Sequence, residues 1–513
     1  MNYKNKIRKY LAFFLYSFCL LLFLSPDSYI YDLYHRCDTA WFFTCGKAWM
    51  NGLVPYVDFS DSKGPLLWLI YGCGYLLSHY SYIGVFWISC AFYTISFVFA
   101  YKLCRMFISK NASILVLALL PLFLFYKKYH YEVRAEDFCY TFVFISLYYV
   151  CKMFKGVDKR QLFKLSFVVG VCVMCCMLIK WSIALMMSGF AFVVLYYSFK
   201  NKTVNGLVGG LTGMIAIAVP FLIYFLLQGN FSAFISEYFC NTYSTVSKPF
   251  KETLILYLRD WVAVKKSFIL FFIGIILFCR KYKMSYWLNF CLFTFLAIVV
   301  YALWEYYNSV LMPFAIFLFI VVVDYIEHKF GLDKTKMTFA SVICVIGSVV
   351  YNIHTDKSFV FKEDKYRQSY YDVSQLMAQT KNPKVMFYVQ DFGIGILAND
   401  LPACKYWSRQ HGATSVMEQE RRKALNERLA DFIFVSNFGT PLIDVTEEEL
   451  KKLDYVYWGK TIGENTDLYV YCKKELYKEL PHVQLNTLDL LLKKNLFCEN
   501  TAVQRKNLGH DLN

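Results

Sequence analysis

Apolar residues run in stretches of membrane-spanning length from residue 10 to about 354, divided by short polar turns. Because a helix rises about 1.5 Å per residue, about 20 such residues cross a hydrocarbon core. At that length the runs predict about eleven transmembrane helices. The segment 65–79 is short and glycine-rich (Gly64, Gly72, Gly74), and it reads as a juxtamembrane helix on the outer surface. Beyond 355 the pattern changes. KVMFYVQ (384–390), DFIFVSN (431–437) and DLYVYCK (467–473) are β-rich runs ending in turn residues. A charged helical pattern, MEQERRKALNERLA (417–430), lies between the first two, and a β-α-β order supports a small parallel or mixed sheet. The expected class is therefore mainly α: a polytopic membrane domain over 1–355, with a first outer loop over about 26–64. A small α/β domain over 356–485 and a polar tail over 486–513 follow.

Composition agrees. With 58% hydrophobic and 20% aromatic residues in 513, an ordinary soluble domain is excluded. The basic, apolar N-terminus resembles a signal peptide. It lacks a small-x-small cleavage site before Asp27, so it reads as an uncleaved first helix. Lys4, Lys6, Arg8 and Lys9 then place the N-terminus in the cytoplasm. Further basic clusters at 102–110, 152–164, 200–202, 280–283 and 328–336 fit cytoplasmic turns. An odd number of spans puts the C-terminal domain outside, periplasmic if the membrane is a bacterial inner (plasma) membrane. The net charge of +16 suggests contact with anionic lipid, and no motif points to nucleic acid.

Most of the 18 cysteines sit within apolar runs. Cys172, Cys175 and Cys176 match C-x-x-C by spacing, but they lie mid-helix and read as small apolar packing. Cys37 and Cys45 are a candidate pair on the outer face, and no disulfide framework follows.

The chemistry concentrates in three outer-face clusters. The first contains Asp38 and the string Asp58, Asp61, Ser62, Lys63, Gly64, Pro65, within a loop that also carries Asp27 and Asp32. The second contains His130, Glu132, Arg134, Glu136 and Asp137, and the third is Lys180 at the turn of a helical hairpin. Carboxylates beside a bilayer are costly unless they perform chemistry or bind a charge. Lys127, Lys128 and Arg134 lie outside, against the positive-inside bias, as cations meeting an anionic ligand would. Acids and cations at one face suit transfer of a sugar from a polyprenyl phosphate. That reaction needs a base for the acceptor hydroxyl and fixed positive charge for the departing phosphate. Single displacement with inversion follows by analogy with inverting glycosidases.

At these residues the chain resembles the GT-C superfamily of membrane glycosyltransferases. The likeness is to the bacterial branch similar to protein O-mannosyltransferases, with the lipid A aminoarabinose transferases and the Rgt-type enzymes. The residues that carry it are Asp38-Thr39, the NGLVPY run (Asn51 to Tyr56), Asp61-Ser62-Lys63-Gly64-Pro65, Glu136 or Asp137 after Arg134, Leu178-Ile179-Lys180, and Tyr306, Tyr307 and Pro313. The resemblance covers roughly residues 1–355. It implies that Asp38 is the catalytic base and that Lys63 contacts the lipid phosphate, with Arg134 and Lys180 beside it. Asp58, Asp61, Glu136 and Asp137 would be supporting acids. The acceptor would be a cell-surface glycan, a lipid or a protein. Asp38 is followed by Thr39 where the family often has glutamate, and a serine and a glycine surround Lys63.

Plainer readings stand beside these. Asp38 suits a helix cap, Asp58 and Asp61 suit solvated turns, and Lys63 suits a side chain snorkelling to headgroups. Lys180 suits a headgroup anchor. His130, Glu132 and Glu136 could form a metal site but match no strong ligand pattern, so no cofactor is expected. Thr39 after Asp38 leaves metal use open, and a divalent metal stays as the alternative. Gly393, Gly395 and Ala398 match G-x-G-x-x-A, and Asp391-Phe392-Gly393 copies a kinase tripeptide, each without the rest of its signature. A lipid-linked polysaccharide polymerase or ligase is the alternative class, although its functional residues would be expected in a late loop. A transporter or flippase would call for matching broken helices, which the sequence lacks.

Overall fold

The structure is a computed structural model. It describes residues 3–28, 30–31, 37–126, 134–241, 269–284, 305–331, 333–355, 372–388, 393–408, 415–436, 445–461 and 468–480. The chain divides into two units, Met1–Lys362 and Glu363–Asn513.

The described residues of the first unit are mostly helical, as the long apolar runs require. Its first elements are α1 (Tyr3–Leu24), α2 (Cys37–Met50), α3 (Pro65–Leu77), α4 (Ile83–Cys104), α5 (Lys110–Leu119) and α6 (Pro121–Leu124). There follow α7 (Ala135–Phe154), α8 (Lys159–Ile179), α9 (Trp181–Met186), α10 (Ser188–Lys200), α11 (Asn205–Leu227) and α12 (Phe231–Phe234). A π-helical turn over Ile235–Asn241 continues α12. Later come helices Ile269–Lys281, Ala315–Phe330 and Lys334–Thr355, with a 3-10 stretch over Glu305–Phe314. Among the described residues eight helices are long and apolar enough to cross a membrane. The apolar stretch 285–304 lies outside the described residues. At 13 residues α3 is too short to span, in keeping with a juxtamembrane helix.

Lipid tails are as apolar as leucine, so helices in a bilayer associate through close fit rather than hydrophobic gain. The α8–α11 contact shows this. A Cβ on Gly213 would stand 2.0 Å from the Phe167 carbonyl oxygen, and one on Gly170 would stand 2.0 Å from that of Gly210. Small residues there let two backbones touch. The helices α4 and α7 run side by side, joined by the Ser96–Thr141 hydroxyl contact (2.8 Å) and the Phe99–Tyr148 ring pair (5.6 Å). Cys172 and Cys176 are buried free thiols in α8, as packing residues would be. Cys45 is buried in α2, and the side chain of Cys37, its candidate partner, lies outside the described residues.

The second unit holds a five-stranded sheet of order β2-β1-β3-β5-β4. Its strands are β1 (Lys384–Phe387), β2 (Leu401–Pro402), β3 (Phe432–Val435), β4 (Tyr455–Thr461) and β5 (Leu468–Lys473). The pairs β1–β2 and β1–β3 are parallel, whereas β3–β5 and β4–β5 are antiparallel. The sheet is therefore mixed, and the three β-rich runs become β1, β3 and β5. Helix Ser415–Asn426 forms from the charged pattern before β3. Met386, Leu425, Ile433, Leu450 and Tyr471 make the core. The G-x-G-x-x-A string ends in a short 3-10 turn, Ile396–Ala398, and not in a helix of the length a dinucleotide site uses. The polar tail 486–513 lies outside the described residues.

Candidate functional site

Four pieces of backbone meet in the first unit. The first is the start of α2, where Asp38 lies in the first helical turn and keeps 28% of its side-chain surface exposed. The second is the start of α7. Arg134 precedes it in extended conformation and is buried, with its Nε 3.7 Å from Asp38 Oδ2. Asp137 fixes this entry: its carboxylate accepts the Arg134 backbone N–H at 2.9 Å and the Tyr93 hydroxyl at 3.1 Å. A carboxylate one turn into a helix satisfies N–H groups that have no partner inside the helix. Asp137 therefore aims Arg134, and Arg134 faces Asp38.

The third piece is the break between α8 and α9, where Lys180 alone links two spanning segments with an extended backbone. Its ammonium meets Glu136 of α7 at 2.5 Å, Lys180 being 12% and Glu136 3% exposed. An ion pair this far from water is held by geometry, because each partner unpaired would pay a large desolvation cost.

The fourth piece is the loop 53–64. The Asp58 carboxylate is exposed and accepts the Val54 N–H at 2.7 Å, which is the turn role of its plainer reading. Tyr56 adopts a left-handed backbone (φ 65°), a conformation that costs a bulky residue on the order of 1–3 kcal/mol. Its surroundings hold it there: its N–H donates to Phe59, its hydroxyl donates to the Lys63 carbonyl at 3.1 Å, and its ring lies on Trp68. Asp61 is buried. Its Oδ1 accepts the Ser62 N–H at 2.6 Å, while Oδ2 has no hydrogen-bond partner among the described residues. Lys63 donates to the Ser62 hydroxyl at 3.1 Å and lies 5.5 Å from the centre of the Phe42 ring. Phe42 is one helical turn beyond Asp38, so the two share a face of α2.

The loop and the α8–α9 break are joined directly. The Gly64 N–H donates to the Ile179 carbonyl at 2.9 Å, and any Cβ on Gly64 would stand 2.0 Å from the Leu178 carbonyl oxygen. This contact brings the stretch carrying Lys63 against the one carrying Lys180, while the start of α7 supplies Arg134 to Asp38 and Glu136 to Lys180. Asp137 supports Arg134 from one side and Asp58 stands at the turn. Lys127, Lys128, His130 and Glu132 lie outside the described residues, as do the side chains of Tyr306 and Tyr307. The backbone of those tyrosines, with Pro313, forms the 3-10 stretch beside α7.

Glu237, in the π-helical turn, was not anticipated from the sequence. It is buried and accepts the Ser60 hydroxyl at 3.1 Å, next to Asp61 in the loop. An acid inside the aromatic run FSAFISEYF is the signal that would have marked it. Among the described residues one group can offer three metal ligands, Asp324, Glu327 and His328, with donor atoms within 4.8 Å of one another. Its donors are already engaged. Asp324 meets Lys281 and the Tyr282 hydroxyl, and Glu327 accepts from Ser109.

The model of the dolichyl-phosphate-mannose-protein mannosyltransferase family matches residues 62–224, a stretch that includes Lys63, Arg134, Glu136, Asp137 and Lys180. Among solved structures, ArnT from Cupriavidus metallidurans bound to undecaprenyl phosphate matches with TM-score 0.57 at 10% identity. That match covers 92% of this chain and 98% of that one. Its apo state gives 0.58 at 11%, covering 92% and 99%. The Archaeoglobus fulgidus oligosaccharyltransferase in complex with Zn and sulfate gives 0.46 at 12%, covering 91% and 74%. No curated protein sequence matches the chain. At such identities the likeness to ArnT establishes the fold.

Proposed function

We propose that this chain, a membrane glycosyltransferase with the GT-C fold similar to the lipid A aminoarabinose transferases, moves a sugar from a polyprenyl phosphate to an extracytoplasmic acceptor. One observation supports the reading: a partly exposed carboxylate, Asp38, pairs with Arg134, Lys63 lies over Phe42 one turn along the same helix, and the stretches that carry Lys63 and Lys180 touch. Asp38 takes the proton from an acceptor hydroxyl as its oxygen attacks the anomeric carbon. The bond from that carbon to the phosphate oxygen breaks, and its electron pair stays on the phosphate. Lys63, with Arg134 and Lys180, offsets the growing negative charge. Glu136 keeps Lys180 aimed, and Asp137 keeps Arg134 aimed. Attack opposite the leaving group inverts the anomeric centre, and the acceptor is a cell-surface glycan, lipid or protein.

The cations suit a phosphate monoester or diester at a bilayer surface, which the ArnT structure binds as undecaprenyl phosphate. The test is an assay of the purified chain in proteoliposomes with defined polyprenyl phosphate sugars and an acceptor extract. Release of free polyprenyl phosphate that depends on the acceptor supports the reading. Head-to-tail lengthening of a lipid-linked glycan instead identifies a polymerase.

A further inference from the structure

The segment 230–238 has no role in the chemistry above, yet it holds the Lys63 loop at two points. The Asn230 side-chain amide donates to the Pro55 carbonyl at 2.9 Å, and the Ser60 hydroxyl donates to Glu237 Oε2 at 3.1 Å. A third bond, from the Tyr238 hydroxyl to the Met177 carbonyl at 2.5 Å, ties the same segment to the end of α8, three residues before Lys180. Asn230, Ser60, Glu237 and Tyr238 are all buried. The backbone carrying Glu237 is π-helical, a form that widens a turn and re-aims a side chain. One short segment thus grips both the stretch that carries Lys63 and the one that leads to Lys180.

A buried carboxylate is costly to keep, and here a hydroxyl of the loop is one of the groups that satisfies it. Tyr56, whose hydroxyl holds the Lys63 carbonyl, lies within electrostatic reach of both Asp61 and Glu237. Moving Ser60 therefore moves the backbone on which Lys63 is mounted. We infer that Glu237 is a positioning residue: through Ser60 it sets where Lys63 stands to receive the phosphate of the lipid carrier. This rests on the polyprenyl phosphate reading of the site.

The test measures binding of undecaprenyl phosphate to the purified, detergent-solubilised chain. It compares Ser60→Ala, Glu237→Ala, Glu237→Gln, Lys63→Ala and the double variant Ser60→Ala/Lys63→Ala, with melting temperature recorded for each. Ser60→Ala and Glu237→Ala are expected to weaken binding about tenfold, the scale of one hydrogen bond to a charged group. Glu237→Gln, whose amide oxygen still accepts the Ser60 hydroxyl, is expected to return binding to within about threefold of the parent. The effect of Ser60→Ala is expected to vanish once Lys63 is already alanine. A purely structural role lowers melting temperature without this dependence on Lys63. Unchanged binding in Ser60→Ala and Glu237→Ala, or effects that add fully to Lys63→Ala, overturns the inference while leaving the function intact. A parent chain that binds no undecaprenyl phosphate overturns both.

Discussion

The backbone N–H of Gly64 donates to the carbonyl of Ile179 at 2.9 Å, so Lys63 and Lys180 are carried by two stretches of chain that touch. The glycine is the condition for that contact, since a Cβ would press into Leu178 at 2.0 Å. Gly64→Ala is expected to push the loop off the α8–α9 break, with a packing cost of about 1–3 kcal/mol. Donor use should fall along with thermal stability. A Gly64→Ala protein with parental melting temperature and parental transfer rate would show that the two lysines need no fixed spacing.

Glu136 and Lys180 form a nearly water-free pair. Removing one partner leaves a buried charge, so Glu136→Gln alone is expected to destabilise the chain by about 3–5 kcal/mol. The double variant Glu136→Gln/Lys180→Met should recover most of that loss in a thermal melt. It should remain poor in transfer, because one of the cations proposed to offset the phosphate charge is gone. Recovery of activity together with stability would assign Lys180 to folding alone.

The residues proposed for this site are visible in the sequence because a bilayer otherwise rejects such residue types. Asp38, Lys63, Arg134 and Lys180 stand out for that reason. The pairing of Glu136 with Lys180 was not legible, because it joins residues 44 apart whose helices must first be packed. Asp137 read as part of the chemistry and in the structure also caps α7, a local job that any acid at that position performs. Glu237 was passed over because a lone acid in an aromatic run matches no motif. In the second unit, the charged helix before β3 was plain from its pattern, but its Arg421 is buried. Its guanidinium donates to the Tyr406 and Phe387 carbonyls, closing the helix onto the sheet. Strand β4 was missed: the register shift between Tyr457 and Gly459 breaks the alternation that marks a strand.

Lys63 offers a sharper test of phosphate contact than of folding. Lys63→Ala is expected to weaken the apparent affinity for the lipid donor about tenfold or more, as loss of a charge-assisted hydrogen bond does. Titration of the donor at fixed acceptor reads this directly. An unchanged donor affinity would leave Lys63 as a side chain that merely reaches toward headgroups.

Burial pushes the Cys472 thiol of β5 up to about 12. The unfolded chain, with an ordinary cysteine near pKa 8.5, loses that proton earlier. The contribution of Cys472 to stability is therefore complete below about pH 8.5 and declines as pH rises toward 12. Alkylation of Cys472 at pH 8 should be negligible in the folded protein and rapid after denaturation. Rapid labelling of the folded form would mean that β5 is open to solvent.

The central claim is that Asp38 takes the proton from the acceptor. Asp38→Asn keeps the shape and a hydrogen-bonding oxygen but gives up the basic carboxylate. Transfer from a polyprenyl phosphate sugar should fall by about 10² to 10⁴, the usual worth of a general base. Binding of undecaprenyl phosphate should stay within about threefold of the parent, since Arg134, Lys63 and Lys180 are untouched. Transfer by Asp38→Asn at the parental rate would contradict the account and move the base elsewhere.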